Sequence, residues 1–119
     1  MQILKLMLAA ALLQAQTFHK TSDGPYFSTV ADLDGDGHPD VILPCRGELK
    51  LPTEKAPAND VLTVFYTAGS PDPHLRRDYR VGYGPYTAVS ADLDGDGRKD
   101  VVVVNFQAND GRDLSILWG

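Results

Sequence analysis

An internal repeat is the feature that most constrains the fold of this chain. Two segments align without a gap at a spacing of 60 residues: 24–43 (GPYFSTVADLDGDGHPDVIL) and 84–103 (GPYTAVSADLDGDGRKDVVV). Both contain Gly-Pro-Tyr, then Ala-Asp-Leu-Asp-Gly-Asp-Gly, then Asp-Val. Repeats of this kind are supersecondary units that bury their apolar faces against one another, so we expect stacked copies of one unit.

A second match follows each copy and completes the unit. An Asn-Asp pair precedes an apolar run in residues 59–66 and again in residues 109–118, and the first copy has about ten more residues before this pair. Runs rich in β-branched and aromatic residues between turn residues are typical of strands. The predicted strands are 28–33, 41–43, 62–66 and 78–83 in the first unit, and 88–93, 101–104 and 114–118 in the second.

These strands predict the fold class. No window from residue 17 onward shows sustained helical periodicity. Four short antiparallel strands in each unit are typical of a blade of a β-propeller. We therefore predict an all-β chain with antiparallel four-stranded β-propeller blades, of which it holds about one and a half to two. The first repeat covers about 24–83, and the second, which is incomplete, covers about 84–119.

The first residues have the pattern of a secretory signal. Lys5 supplies a positive charge, residues 6–13 form an apolar run, and Ala15 is the small residue after which cleavage is expected. The run is too short to span a membrane, which takes about 20 residues. We predict a signal peptide over 1–15, a repeat region over 16–119, and a secreted, periplasmic or cell-surface protein; an N-terminal helix packed on the domain is the alternative.

The negative charge is concentrated in the repeat. Sixteen acidic and eleven basic residues give a formal net charge of −5, which argues against a nucleic-acid partner because such a partner favours a basic surface. Fourteen of the acids are Asp, and eight of these lie in two clusters inside the repeated block. The chain is acidic because of two local features, and each needs a local explanation.

Each cluster has the spacing of a loop that binds a metal ion. Asp occupies positions one, three, five and nine, and Gly at positions four and six permits the positive φ angles of a tight turn. Several carboxylates and the backbone carbonyl at position seven form a set of hard oxygen ligands, which suits Ca²⁺ better than Zn²⁺. Two Ca²⁺ sites are predicted. Their ligands are Asp32, Asp34, Asp36, His38 (carbonyl) and Asp40, and Asp92, Asp94, Asp96, Arg98 (carbonyl) and Asp100.

Three other interpretations of the clusters are open. They could be solvated turns, although identical spacing in both copies argues against this. They could be EF-hands, but an EF-hand has a bidentate Glu at position twelve and flanking helices, and position twelve here is Leu43 or Val103 in a β-type run. They could be catalytic acids, but duplication together with the fold favours a structural role.

The repeated blocks closely resemble FG-GAP/VCBS-type repeats, the calcium-loop blades of integrin-α-like β-propellers. The resemblance covers nearly all of residues 23–119 and depends on the Asp-x-Asp-Gly-Asp-Gly-x-x-Asp loop between two strands. It implies that Ca²⁺ lies in the hairpin loop and stiffens the blade. Such propellers close with about seven blades, whereas this chain supplies one full unit and a second without its outer strand.

The expected function is a secreted calcium-binding segment for binding or scaffolding, with an unknown extracellular protein or carbohydrate ligand. Further blades from a longer chain, or self-association, would cover the exposed strand edges. The alternative is a non-catalytic fragment of an extracellular polysaccharide-degrading or lipid-hydrolysing enzyme built on the same repeats. A spacer is a third interpretation. Enzyme activity is not expected, because no His is paired with Ser or Cys in a recognisable pattern.

Other residues receive structural interpretations. A single cysteine excludes a disulfide within the chain, and Cys45 is predicted to be a free, partly buried thiol; an intermolecular bridge is the alternative. Tyr26 and Tyr86 recur with the repeat and are predicted to pack rather than to bind sugar. The least repetitive segment, 45–58, is predicted to be a solvated loop, with ligand contact as the alternative. His19, His38 and His74 are expected at the surface.

Overall fold

Seven strands in two antiparallel sheets make up the fold. The computed structural model of the protein describes residues 16–47, 59–70, 72–73, 75–106 and 111–119. Within these ranges every regular element is a strand and no helix occurs, which confirms the all-β prediction. The strands are β1 (Thr29–Ala31), β2 (Asp40–Cys45), β3 (Val61–Tyr66), β4 (Leu75–Arg80), β5 (Pro85–Ala91), β6 (Asp100–Asn105) and β7 (Leu114–Leu117).

Each sheet is a meander in which consecutive strands pair. The first sheet has the order β1-β2-β3-β4 and the second has the order β5-β6-β7, so the predicted numbers of strands agree with the structure. Branched apolar residues face each other across the central strands, as Ile42 faces Val64 and Val102 faces Ile116. Such cross-strand pairs stabilise a sheet because their side chains are in contact on one face.

The predicted bounds of the fourth strand are wrong. The sequence predicts 78–83, whereas β4 runs from Leu75 to Arg80. Its six residues pair with all six residues of β3, from Tyr66 opposite Leu75 to Val61 opposite Arg80. The length of β4 is therefore set by its partner strand, and residues 82–84 form a bend instead of extending it.

The third strand of the second unit lies two residues away from the position that the sequence alignment gives. Val41 faces Phe65 in the first sheet, and the equivalent Val101 faces Leu117 in the second. Aligning the two Asn-Asp pairs places Ser115 in that position instead. A shift of two residues keeps the same side-chain face towards the core, so the sheet tolerates the difference in loop length.

The core lies between the two sheets. Since side chains alternate along a strand, each sheet contributes one face to it. Ile42, Leu62 and Val64 of the first sheet are at most 1% exposed and pack with the residues that the second sheet contributes. Those residues are Ala88, Val101 and Val103. Burial of this one apolar interface is the main stabilising contact between the two repeats.

The outer face of the first sheet is covered by residues 16–24, which we call the N-terminal segment. The Arg76 guanidinium donates to the carbonyl oxygen of Lys20 at 2.9 Å and to the Ser22 hydroxyl at 3.1 Å. Arg76 also pairs with Asp78 at 2.7 Å, and the Thr63 hydroxyl donates to the same carboxylate at 2.7 Å. Although burial opposes the effect, these donors lower the pKa of Asp78 below its ordinary value.

Three sequence predictions fall wholly or partly outside the described residues. The predicted signal peptide, 1–15, and His74, expected at the surface, lie wholly outside them, and so does most of the segment 45–58. In the described part of the chain, no helix has the length and apolar character needed to cross a membrane.

Replacing Leu62 with Ala should lower the free energy of unfolding by about 2–5 kcal/mol, because it leaves a cavity between the sheets. Leu62 is 0% exposed, whereas Leu114 is 55% exposed and provides a control of the same residue type. Leu114→Ala should change the free energy by less than about 0.5 kcal/mol. Chemical denaturation followed by Trp118 fluorescence measures both variants. Equal losses would show that the interface between the sheets is not the core.

Candidate metal centre

The two Asp-rich loops occupy equivalent positions in the two sheets. Residues 32–39 join β1 to β2, and residues 92–99 join β5 to β6. Strands, rather than the helices of an EF-hand, flank both loops. Gly37 and Gly97 have φ angles of 86° and 88°, in the left-handed region that side chains other than Gly rarely adopt. The two loops therefore have the same turn, with Gly at the same positions in both.

The first Asp of each loop organises the turn. The Asp32 carboxylate accepts hydrogen bonds from the backbone N–H groups of Gly35 and Gly37, both at 2.8 Å. Asp92 accepts the equivalent bonds from Gly95 and Gly97 at 2.8 and 2.9 Å. The bond from Gly37 is the largest cause of a lowered pKa for Asp32, because it stabilises the ionised form. This carboxylate is held charged and in place.

Asp34, at the third position of the first loop, is the carboxylate whose charged form is disfavoured. The pKa of Asp34 is raised, chiefly by desolvation and then by the negative charges of Asp36, Asp40 and Asp32. Its carboxylate accepts one hydrogen bond, from the N–H of Asp36 at 3.2 Å. Like charges that raise each other's pKa are stabilised when a cation lies between them. The loop is therefore prepared for positive charge.

The last Asp of each loop has a structural role that the sequence does not show. Asp40 is 0% exposed and accepts hydrogen bonds from the N–H of Leu33 at 2.9 Å and of Thr67 at 3.2 Å. Leu33 lies in the loop, and Thr67 follows β3 directly. The carboxylate therefore joins the start of the loop to the end of the third strand.

Asp100 makes the same connection in the second sheet. It is 1% exposed and accepts hydrogen bonds from the N–H groups of Leu93 and Gly119, both at 2.8 Å. Gly119 lies two residues after Leu117, which faces Val101. Thr67 likewise lies two residues after Phe65, which faces Val41, so the two N–H donors are equivalent in the two sheets. No sequence signal identifies Thr67 or Gly119, because each reaches the buried Asp through its backbone N–H; the Thr67 hydroxyl also donates to the carbonyl oxygen of Pro39 at 2.8 Å.

The carboxylates that come together fit a calcium ion. Oxygens of Asp32, Asp34 and Asp40 lie within 4.8 Å of one another in the first loop. Two oxygens on one Ca²⁺ are at most about 5 Å apart, since each is bound at about 2.3–2.6 Å. The second loop also has a group of three carboxylates, with a different third member. Its members are Asp92, Asp94 and Asp96.

The two groups differ in which predicted ligands they include. Asp36 is outside the first group and Asp100 is outside the second. His38 and Arg98, predicted as carbonyl ligands, donate their N–H groups to Asp36 and Asp96, each at 2.8 Å. These residues therefore shape the loops in the structure, and their carbonyl coordination stays a prediction.

Arg98 makes the two loops chemically unequal. Its guanidinium lies 3.0 Å from the Asp96 carboxylate, and together with its N–H it lowers the pKa of Asp96. His38 stands at the equivalent position in the first loop. A cation in the second loop would therefore compete with Arg98 for Asp96, so we expect the first loop to bind more tightly.

The other singled-out residues pack at the opposite ends of the strands. The rings of Tyr26 and Tyr86 have centroids 4.8 Å apart and pack on each other, while Tyr26 remains 39% exposed. The Arg46 guanidinium lies 5.2 Å from the centroid of Phe106, a cation–π contact that the sequence analysis missed. Cys45 is free and 0% exposed, and burial raises the pKa of its thiol, which keeps it protonated and unreactive.

Replacing Asp40 with Asn should lower the free energy of unfolding by about 1–3 kcal/mol even in the presence of a chelator, because an amide NH₂ would face a buried N–H donor. Asp100→Asn should behave alike. Asp72, whose side chain is 83% exposed, provides the control, and Asp72→Asn should change little. Urea denaturation in excess EDTA measures all three. An unaffected Asp40→Asn variant would show that this carboxylate does not hold the third strand.

Comparisons with known proteins identify no relative of this chain. No protein-family model, no curated protein and no solved structure matches it. The geometry of the two loops and the repeat that carries them are therefore the basis for a functional proposal.

Proposed function

We propose that this chain is a calcium-stabilised segment of an extracellular binding or scaffolding protein, built from β-propeller-type blades of the FG-GAP/VCBS kind. The observation that carries the proposal is that the same turn occurs twice, at the same end of both sheets, with three carboxylates converging in each copy although the third member differs. A catalytic centre needs different groups in one place, whereas a structural ion recurs wherever the supporting fold recurs.

The arrangement of the sheets supports the blade interpretation. The first unit is a four-stranded antiparallel meander, and the second repeats its first three strands in the same order. The two sheets pack face to face, with β5 of the second sheet against β2 and β1 of the first. Stacked antiparallel sheets of four strands are the building plan of propellers, in which each blade contacts only its neighbours.

Calcium would act on the fold through Asp40, the buried carboxylate that joins the first loop to the end of β3. In the first loop Asp40 belongs both to the group of three carboxylates and to the connection with Thr67. An ion held by Asp32, Asp34 and Asp40 would offset their mutual repulsion and would fix the Asp40 side chain that holds the end of β3. The free energy of calcium binding at the loop would therefore add to the free energy of unfolding of the whole sheet.

The cellular location and the partner follow from the same proposal. Calcium-binding modules outside cells have dissociation constants of about 0.1–1 mM and are loaded at the calcium concentrations there, and we place these loops in that class. The N-terminal pattern of residues 1–15 supports secretion. The ligand we propose is an extracellular protein or carbohydrate, and no nucleic acid, because the chain is acidic.

Calcium should raise the melting temperature of the protein above its value in EDTA. A single site at a free calcium concentration one hundred times its dissociation constant adds about 2.7 kcal/mol. For a domain of this size each kcal/mol corresponds to about 4–8 °C, so we expect a shift of roughly 10 °C or more. Magnesium at the same concentration should give a smaller shift, because it demands a tighter octahedral shell. Differential scanning calorimetry measures these shifts.

The double variant Asp34→Asn/Asp94→Asn distinguishes the effect of calcium binding on stability from the effect of the loop structure itself. Asn keeps the oxygen that accepts the N–H two residues on but removes one negative charge from each group. In EDTA this variant should be as stable as the original protein or more so, since repulsion at Asp34 is relieved. In calcium it should lose the rise in melting temperature, while Asp72→Asn keeps it. Identical melting curves of the original protein in calcium and in EDTA would sink the proposal.

A further inference from the structure

The two sheets leave a cavity between their outer strands. They approach each other most closely where β5 packs against β2 and β1. Farther out, a cavity of about 150 Å³ is lined by residues of β3 and β4 from the first sheet and of β6 and β7 from the second. The aliphatic side chains among them, with one from the first loop, are Leu33, Leu62, Val64, Val101 and Leu117. Apolar walls contributed by two packed sheets suit a small ring-shaped molecule.

Two tyrosines add a hydrogen-bonding group to this apolar lining. Tyr66 on β3 and Tyr79 on β4 line the cavity, and their hydroxyl oxygens lie 2.8 Å apart in a mutual hydrogen bond. The pair has two O–H groups, and this bond uses only one of them. Neither hydroxyl has a further partner in the part of the chain that the structure describes. One O–H donor and several lone pairs are therefore available to a bound molecule.

The surroundings of this hydroxyl pair favour an uncharged molecule. Burial is the largest cause of a raised pKa for Tyr66, the hydrogen bond with Tyr79 is the next, and the negative charge of Asp40 acts in the same direction. Burial that keeps a phenol group uncharged would also disfavour an ionised ligand, which loses its hydration there. The charge of Asp40 disfavours an anion in addition.

The cavity reaches solvent beside two exposed residues that line it. Trp118 is 62% exposed, and Lys99 is exposed as well. A ligand can therefore enter without unfolding of the core. Trp118 is the only tryptophan in the sequence, so its fluorescence reports on this cavity.

We propose that this cavity binds a small neutral ring compound of the phenol type. An aliphatic cavity of about 150 Å³ takes up a molecule of the size of benzene. The ring would pack against the aliphatic walls, and its hydroxyl would accept the unused O–H of the Tyr66–Tyr79 pair. The inference is separate from the proposed function, because no residue that lines the cavity belongs to either group of loop carboxylates.

Three probe molecules of one ring each test this ligand class. Phenol has the ring and a neutral hydroxyl, benzene lacks the hydroxyl, and benzoate is ionised at neutral pH. Each is added to the full chain in calcium, and binding is followed by Trp118 fluorescence and by isothermal titration calorimetry. We expect phenol to bind at one site and benzene to bind about two- to tenfold more weakly. Benzoate should bind at least about tenfold more weakly than phenol. A wholly apolar cavity would prefer benzene, because phenol would lose its hydrogen bonds with water.

Matched variants locate the site. Leu117→Phe places a larger side chain in the cavity, whereas Ile116→Phe makes the same kind of change on the opposite face of β7. The double variant Tyr66→Phe/Tyr79→Phe removes the hydroxyl pair, and Tyr83→Phe, at a tyrosine that does not line the cavity, is its control. We expect Leu117→Phe to weaken phenol binding at least about tenfold. The double variant should bind benzene more tightly than phenol, which tests the site even if Leu117→Phe does not fold by circular dichroism. Both controls should bind phenol as the original protein does.

Three results would overturn the inference. The absence of a saturable change in fluorescence or heat with phenol would show that the cavity takes up no such ring. Unchanged phenol binding in a folded Leu117→Phe variant would place the ligand elsewhere on the chain. Tighter binding of benzene or benzoate than of phenol to the original protein would show that the tyrosine pair does not select the ligand. Asp34→Asn/Asp94→Asn should bind phenol normally, so this result is distinct from that of the calcium experiments.

Discussion

A buried carboxylate that joins a loop to the end of a distant strand is the contact on which each repeat depends. Asp40 and Asp100 accept an N–H from the start of their loop and another from a residue just after the third strand. Loss of either hydrogen bond would leave the buried carboxylate with one donor fewer, which is more costly than the same loss at an exposed carboxylate. The same side chain therefore sets the loop, closes the hairpin and fixes where the third strand ends.

This connection links the candidate metal centre to the fold. In the first loop Asp40 lies close enough to Asp32 and Asp34 to share a cation with them. In the second loop the guanidinium of Arg98 places a positive charge beside Asp96. The two repeats have thus kept the backbone of the turn while they differ in how its negative charge is balanced.

The strand order and the loop positions were predictable because they depend on local sequence. The Asp-Gly pattern specifies a tight turn, and the β-branched runs that follow specify buried strands such as β2 and β6. The bounds of β4 were not predictable, because Leu75 is in a strand only by pairing with Tyr66. The alignment of β7 failed for the same reason: the ladder, rather than the Asn-Asp pair, sets its register.

The sequence by itself determined that the chain is built from two copies of an all-β unit, each with one carboxylate-rich turn, because these properties follow from spacing and composition. Only the tertiary structure decided which Asp is buried, which three carboxylates converge, and which apolar face is covered. Ile42 and Val102 show the reason: they occupy the same position in the repeat, yet Ile42 is buried and Val102 is only half-buried. Burial depends on the neighbour across the interface, which the local sequence of a strand does not specify.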